Sequence, residues 1–326
     1  MNLPTGPHSD ALWAITSYFN PMRYQRRLAN FKTFRAHLDV PLVAVELAYD
    51  SDFELREQDA DILIRLRGGA VLWQKERLLN VALAALPAQC RKVAWLDCDI
   101  LFASPDWSAK AQALLDRAPL IQLFRRVHYL GPGWAPDGDV ESHLDFTQPS
   151  STSVISAGSP ATEILGQRHG GRRRSYAPGL AWAARRDILE RHRFYDFGIV
   201  GGGDRAMACA VHGCCEELAQ RHLLNEAQRE MYLAWAEPFA QTVNNETACL
   251  QTDIFHLWHG DYPLRGVRTR FEGLRPFHFD PCNDVAIAPN GAWGWSSDKP
   301  AMHAYVRGYF ASRKEDDTSA QQAIQA

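Results

Sequence analysis

Two carboxylates one residue apart, Asp97 and Asp99, interrupt the run VAWLDCDILF (93–102), which otherwise reads as a buried strand. In a strand, residues i and i+2 point to the same side, so the pair would set two like charges side by side in apolar surroundings. Without a partner, one acid would have to keep its proton through a raised pKa, or the strand would bear a heavy desolvation cost. A cation is therefore expected beside them, and a hard divalent metal gripping a phosphate would satisfy both.

Other residues in the chain also have types suited to chemistry. Gly201, Gly202 and Gly203 run into Asp204; glycines let a backbone approach a bound donor closely, and the helix they open presents a partly positive N-terminus to anions. Asp204 taken alone also suits a helix N-cap. His256 and His259 flank Leu257 and Trp258 at the end of a strand-like run. Imidazole nitrogen combined with Asp oxygen suits Mn2+ or Mg2+ better than a thiolate-bound metal, and a structural histidine bonded to a backbone carbonyl is the alternative. Lys75 either reaches from a helix's first turn toward a phosphate or lays its stem on the core with its ammonium in water. Trp182 and Trp258, next to these motifs, have rings that can stack on a sugar or base, although tryptophans more often fill cores. Arg168, Arg172, Arg173 and Arg174 crowd into seven residues. They would clamp phosphates or a polyanionic acceptor, or else belong to a solvated mobile loop.

Positioning such groups takes a layered scaffold, and the apolar spacing supplies one. Residues 12–19 read as a first strand stopped by Asn20 and Pro21. A helix follows through about His37, with Leu28, Phe31, Phe34 and Leu38 at helical spacing; 41–47 and 61–66 read as second and third strands. A helix over 71–86 carries Leu72, Leu79, Ala82 and Leu86 inward and stops at Pro87. The acid-bearing strand comes next, then one at 120–124. This alternation predicts an α/β fold: a Rossmann-like, mostly parallel central sheet with helices on both faces, in which ligands bind beyond the carboxyl ends of the strands. Asp97 and Asp99 fall at such an end. Residues 131–175, rich in Gly, Pro, Ser and Asp with no periodicity, are too long for an idle connection and are expected to form a mobile loop over the site. The pattern resumes at 179–184, with a short helix over 186–191, a helical run after Asp204, a helix over 218–235 and a strand over 252–258. Asn290 and Gly291 signal a hairpin turn, and 297–300 a helix start with Pro near its first position. The expected organisation is a main domain over 10–265, a C-terminal α/β extension over 266–313 packed on it, and a disordered tail over 314–326.

At 326 residues, 46% hydrophobic and 22% charged, the composition is that of an ordinary globular protein. The net charge of −3 gives no global field for gathering nucleic acid or an anionic membrane. Seven cysteines, odd in number and without paired zinc spacing, fit a reducing compartment. Residues 1–10 lack an apolar h-region and no stretch is long enough to span a bilayer, so a cytoplasmic location without a membrane span is expected.

The acid pair, the segment 179–184, the glycine run ending in Asp204 and the histidines at 256 and 259 follow one another in an order that resembles nucleotide-sugar-dependent glycosyltransferases of the GT-A fold, in the broad family-2-like and galactosyltransferase-like group. The resemblance spans roughly 12–262, and it makes 10–265 the catalytic domain. It implies that Asp99 ligates a divalent metal, that Asp97 faces the ribose or the metal's water shell, and that 179–186 floors the sugar and acceptor site. It implies further that Asp204 is the base in an inverting reaction, and that His259, or failing it His256, is the late metal ligand. The donor would be a nucleoside-diphosphate sugar, in particular a UDP-sugar; the acceptor would be a glycan, a small molecule or a macromolecule. Related enzymes often carry a second acid after the glycines, where this chain has Arg205.

Two other classes share parts of the pattern. A nucleotidyltransferase would use the same sheet and acids but needs a glycine-rich basic loop after the first strand, which 16–21 (TSYFNP) does not supply. A protein acting on or binding nucleic acid would use the arginines between Arg168 and Arg174.

Overall fold

Apolar runs broken by Asn-Pro, Gly-Gly and Pro segments fold as alternating strands and helices. In the computed structural model, which describes residues 12–50, 52–136, 138–166 and 176–316, β1 (Leu12–Phe19) leads through α1 (Gln25–Ala36) to β2 (Leu42–Ala48), then β3 (Ile62–Arg67), α2 (Lys75–Ala84) and β4 (Lys92–Leu96). β1 pairs in parallel with β2 and β4, and β2 with β3. Every residue of β2 is buried, as a parallel strand covered on both faces requires.

Beyond β4 come β5 (Ile100–Phe102), α3 (Trp107–Leu115), β6 (Leu120–Gln122), β7 (Arg126–Leu130) and β8 (Leu144–Pro149). α4 (Ser151–Ser156), α5 (Ala161–Gly166), β9 (Ala181–Arg185), α6 (Arg186–His192), α7 (Gly203–Val211), α8 (Cys215–His222) and α9 (Glu226–Val243) follow. The chain continues through β10 (Thr247–Cys249), β11 (Asp253–His256), α10 (Thr269–Leu274), β12 (Val285–Ile287), β13 (Trp293–Trp295) and α11 (Pro300–Ser312). The central sheet has seven strands in the order β10-β6-β9-β4-β1-β2-β3, in which only β9 runs antiparallel to its neighbours. A second sheet, β5-β11-β7-β8, adjoins it, and β12 and β13 form the hairpin expected at Asn290 and Gly291. The α/β class and the mostly parallel sheet are as expected. No helix among the described residues is long and apolar enough to cross a membrane, and all seven cysteines are free.

Several local expectations need correction. The helix expected from 71 begins at Lys75, because the preceding segment is pinned in place: Ala70 N donates to Trp293 O (2.9 Å) and Trp73 N to Ile199 O (2.9 Å). The single helix over 218–235 is two, α8 and α9, parted by Leu223 in a left-handed conformation (φ 54°) and restarted by an Asn225/Gln228 capping box. The stretch 131–175 is not structureless throughout: β8 pairs with β7, and α4 and α5 follow. The arginines at 168 and 172–174 lie outside the described residues.

Residues 314–316 do not begin a disordered tail. Glu315 is fully buried and forms ion pairs with Arg27 of α1 and with Arg313 (2.5 Å). Burial raises the cost of its charge, but the Arg27 and Arg313 guanidiniums outweigh that and hold its pKa well below the usual carboxylate range. Asp316 accepts the backbone N–H groups of Gln25 and Arg26 (2.8 Å each) at the start of α1. Removing one partner of a buried ion pair leaves the other uncompensated. Glu315→Ala is thus expected to lose about 3–5 kcal/mol of unfolding free energy in a urea titration; a midpoint indistinguishable from the parent would show that this segment does not tie down the fold.

Candidate active site

The acid pair lies in the turn joining β4 to β5 and not within a strand, so the two side chains do not share a face as strand alternation would dictate. Two backbone hydrogen bonds fix that turn at the corner between the sheets. Asp97 N donates to Leu180 O (2.8 Å) on the β9 side, and Leu257 N donates to Asp99 O (2.8 Å) at the end of β11. Asp97 consequently faces α2 and α7, whereas Asp99 faces the second sheet.

The expected cation beside Asp97 is a lysine. Lys75 Nζ sits 2.5 Å from Asp97 Oδ1 and 2.8 Å from Asp204 Oδ2. It does neither of the things its position suggested, since its ammonium is buried between two acids. Burial disfavours its charge, but Asp204, Asp97 and Glu76 outweigh this and raise its pKa well above the usual lysine value. Glu76, next in sequence, is pushed up to about 8, by burial first, with Lys75 opposing and Asp204 adding to the shift. Burial, partly countered by Lys75, likewise lifts Asp97 to about 6. At neutral pH the cluster thus holds Lys75 charged, Asp97 ionised and Glu76 protonated.

Asp204 stands in the first turn of α7, whose N-cap is Gly202 in a left-handed conformation (φ 103°). Packing explains the glycines nearby. A Cβ on Gly203 would run into the Glu76 carboxyl, and one on Gly202 would lie 2.6 Å from His222 Cε1. One on Gly179 would meet Asp204 Oδ2 at 2.5 Å, and the adjoining Leu180 is itself left-handed (φ 78°). Non-glycine residues hold that conformation only where their surroundings fix it.

Asp99, His256 and His259 converge, with one ligand-capable atom from each lying within 4.8 Å of the others. His259 Nε2 is 3.0 Å from Asp99 Oδ2, and His256 Nε2 is 3.9 Å from Asp99 Oδ1. Asp99 Oδ1 is buried with no hydrogen-bond partner, a costly state for a carboxylate oxygen that a cation would relieve. Burial opposes the charge on Asp99, but His256, His259 and Arg265 hold its pKa below the usual carboxylate range. Burial, despite Asp99, pushes His256 down to about 3, with Arg265 and His259 contributing; it is a neutral imidazole at physiological pH. One oxygen and two imidazole nitrogens form a donor set that suits a divalent cation. Behind them, His259 Nδ1 lies 3.5 Å from Glu315 Oε1, an ion-pair distance without a hydrogen bond.

The structure therefore brings together Asp99, His256 and His259 in one cluster, and Lys75, Asp97 and Asp204 in another. Trp182 is not available to a ligand: it is fully buried, stacked on Trp95 at 6.4 Å, and donates to Pro178 O (2.9 Å). Trp258 is also buried, against Arg26 and Asn30. Sequence reasoning missed Glu76, Arg265 and Glu315. Glu315 sits in a short polar run that carries no signal of burial, whereas Glu76 adjoins the lysine that was singled out.

No protein-family profile matches the chain, and no curated protein matches it significantly. Among solved structures it is similar to glucosyl-3-phosphoglycerate synthase from Mycobacterium tuberculosis in complex with Mn2+, UDP and phosphoglyceric acid, at 13% identity over 89% of this chain and 88% of that one, TM-score 0.40. It is similar also to residues 1–349 of TarS from S. aureus, at 12% identity over 95% and 73% of the two chains, TM-score 0.38. A third is 4-diphosphocytidyl-2C-methyl-D-erythritol synthase from Anaerococcus prevotii, at 12% identity over 75% and 88%, TM-score 0.35. Likeness at this level assigns no chemistry, which rests on the side chains themselves.

Two outcomes follow from the buried charges. Lys75→Met strands two acids against each other and should cost about 3 kcal/mol, part of which Lys75→Met/Asp97→Asn restores; strict additivity in the double-mutant cycle would refute the coupling. Glu76 has a folded pKa above its unfolded value of 4.5, so its contribution is fully present below pH 4.5 and is lost as pH rises toward about 8. Glu76→Gln should flatten that decline in stability measured from pH 5 to pH 8; an unchanged slope would mean that Glu76 is already ionised.

Proposed function

We propose that this protein is a metal-dependent glycosyltransferase that moves a sugar from a nucleoside-diphosphate sugar, in particular a UDP-sugar, to an acceptor hydroxyl, with inversion at the sugar carbon. The observation that carries the reading is the convergence of Asp99, His256 and His259 on a buried, unpartnered carboxylate oxygen at the carboxyl end of a parallel-sheet strand, where α/β folds bind ligands.

In this reading Asp99, His256 and His259 hold Mn2+ or Mg2+. When bound, the ion stabilises negative charge on the departing diphosphate as a Lewis acid. The neutral His256 has a lone pair on Nε2, which in this structure faces Arg265 Nη1 at 3.4 Å and which a bound ion would take over. Lys75 fixes the orientation of Asp204 through Oδ2, leaving Oδ1 without a partner among the described residues, ready to take the acceptor hydroxyl's proton. Asp97 completes the lysine's pairing, so its part is to position the base and not to meet the ribose. Gly202 and Gly203 serve this arrangement by packing, since they let Glu76 and His222 close on the start of α7 that carries the base.

The test pairs binding with turnover. Mn2+ binding followed by electron paramagnetic resonance should weaken strongly in Asp99→Asn and in His259→Ala, and donor hydrolysis and transfer should vanish with it. Asp204→Asn should bind Mn2+ and UDP as the parent does while turnover falls by a factor on the order of 10²–10⁴. Undiminished transfer by Asp99→Asn ends the proposal. Release of pyrophosphate from a nucleoside triphosphate and a sugar phosphate would instead make the protein a nucleotidyltransferase.

A further inference from the structure

Arg270 lies over the start of α7, Arg205 stands in its first turn, and Arg221 is near enough to both to feel their charge; the described residues do not neutralise them. Gly202 packs on His222 and, at 3.1 Å from its Cβ position, on Phe271; the imidazole and phenyl rings stack at 4.0 Å. Each of these packed residues has an arginine close to it in sequence: Arg205 follows Gly202 by three, Arg221 precedes His222, and Arg270 precedes Phe271. Arg270 Nη1 lies over the glycine run, 3.2 Å from a Cβ position on Gly201. It donates to Tyr309 Oη (2.9 Å), while the same side chain's Nε is buried with no partner. Arg205 gives one N–H to Leu165 O (2.6 Å). Among the described residues, none of the three pairs with a carboxylate.

The electrostatics agree with the geometry. Burial, followed by Arg205, pulls Arg221 down to about 10. Burial and then Arg205, Arg270 and Arg221 hold His222 neutral, well below the usual histidine range. Guanidiniums are forked donors matched to phosphate oxygens, and a helix N-terminus capped by glycine adds backbone N–H groups of the same polarity. Three cations gathered without an anion repel one another unless a ligand completes them.

We infer that Arg205, Arg221 and Arg270 form a subsite for a phosphate monoester carried by the acceptor. The inference rests on the transferase reading for the word acceptor: the cluster adjoins Asp204, where the hydroxyl to be deprotonated must arrive, while the donor diphosphate belongs with Asp99 and the two histidines.

Calorimetric titration of the metal-free full chain with inorganic phosphate and with glycerol phosphate tests this, alongside UDP with Mn2+ as the donor probe. The expected result is saturable, salt-sensitive phosphate binding that Arg221→Gln and Arg205→Gln each weaken by about ten-fold or more, with UDP–Mn2+ binding unchanged. Arg221 makes no hydrogen bond among the described residues, so Arg221→Gln should melt at or above the parent temperature in phosphate-free buffer, which separates lost binding from lost fold. Absence of phosphate binding overturns the inference, as does joint loss of phosphate and UDP–Mn2+ binding, which would assign the arginines to the donor. Asp99→Asn should lose UDP–Mn2+ binding and keep phosphate binding; if it keeps both, the metal reading fails while the anion subsite stands.

Discussion

A single ammonium holds the centre of this molecule together. Lys75 reaches from the first residue of α2 to acids on two separate elements, the β4–β5 turn and the start of α7. Burial raises the pKa of Asp97, and the lysine is the group that opposes that rise. The cost of burying three charged groups is offset because each lies within hydrogen-bond range of its opposite. The lysine also ties the turn that carries Asp99 to the helix that carries Asp204, so the two halves of the proposed site are positioned through one salt-bridge network and do not depend on separate loops.

That arrangement was half legible in the residues. Like charges at 97 and 99 in an apolar run demanded a cation; Lys75 is that cation beside Asp97, whereas Asp99 faces two imidazoles, of which His256 is neutral, and keeps an unpartnered oxygen. The assumption that failed was geometric: alternation along a strand puts both acids on one face, whereas the chain turns at Asp97 and sends them to opposite sides of a corner. The parallel strands were readable because burial on both faces writes unbroken apolar runs between breakers. The division of α8 from α9 was harder, since Leu223 takes a left-handed conformation with neither Gly nor Pro to announce it, although Asn225 and Gln228 spell a capping box. β8 (LDFTQP) escaped because an edge strand with an exposed face has a mixed, short pattern. Glu315 had no local signal at all, because its burial depends on Arg27, nearly the whole chain away.

Glu315 extends the site outward. It closes a path from α1 through Arg27, and from α11 through Arg313, to the back of His259. The His259 Nδ1 faces a carboxylate whose own position is fixed by two guanidiniums, the kind of outer neighbour that a metal-binding imidazole, as proposed, would need. Residues far apart in sequence therefore determine the aim of one ring nitrogen.

The corner between the sheets has a further consequence. The histidines belong to the end of the second sheet, whereas Asp204 is keyed to the first through Lys75 and through the Gly179–Leu180 step beneath it. On the proposed reading, the span from cation to base would accordingly be set by how two layers meet, like the jaws of a fixed caliper. An enzyme built this way would measure its substrates by length, accepting variation in what projects past the jaws but little in the distance between the bond that breaks and the hydroxyl that attacks.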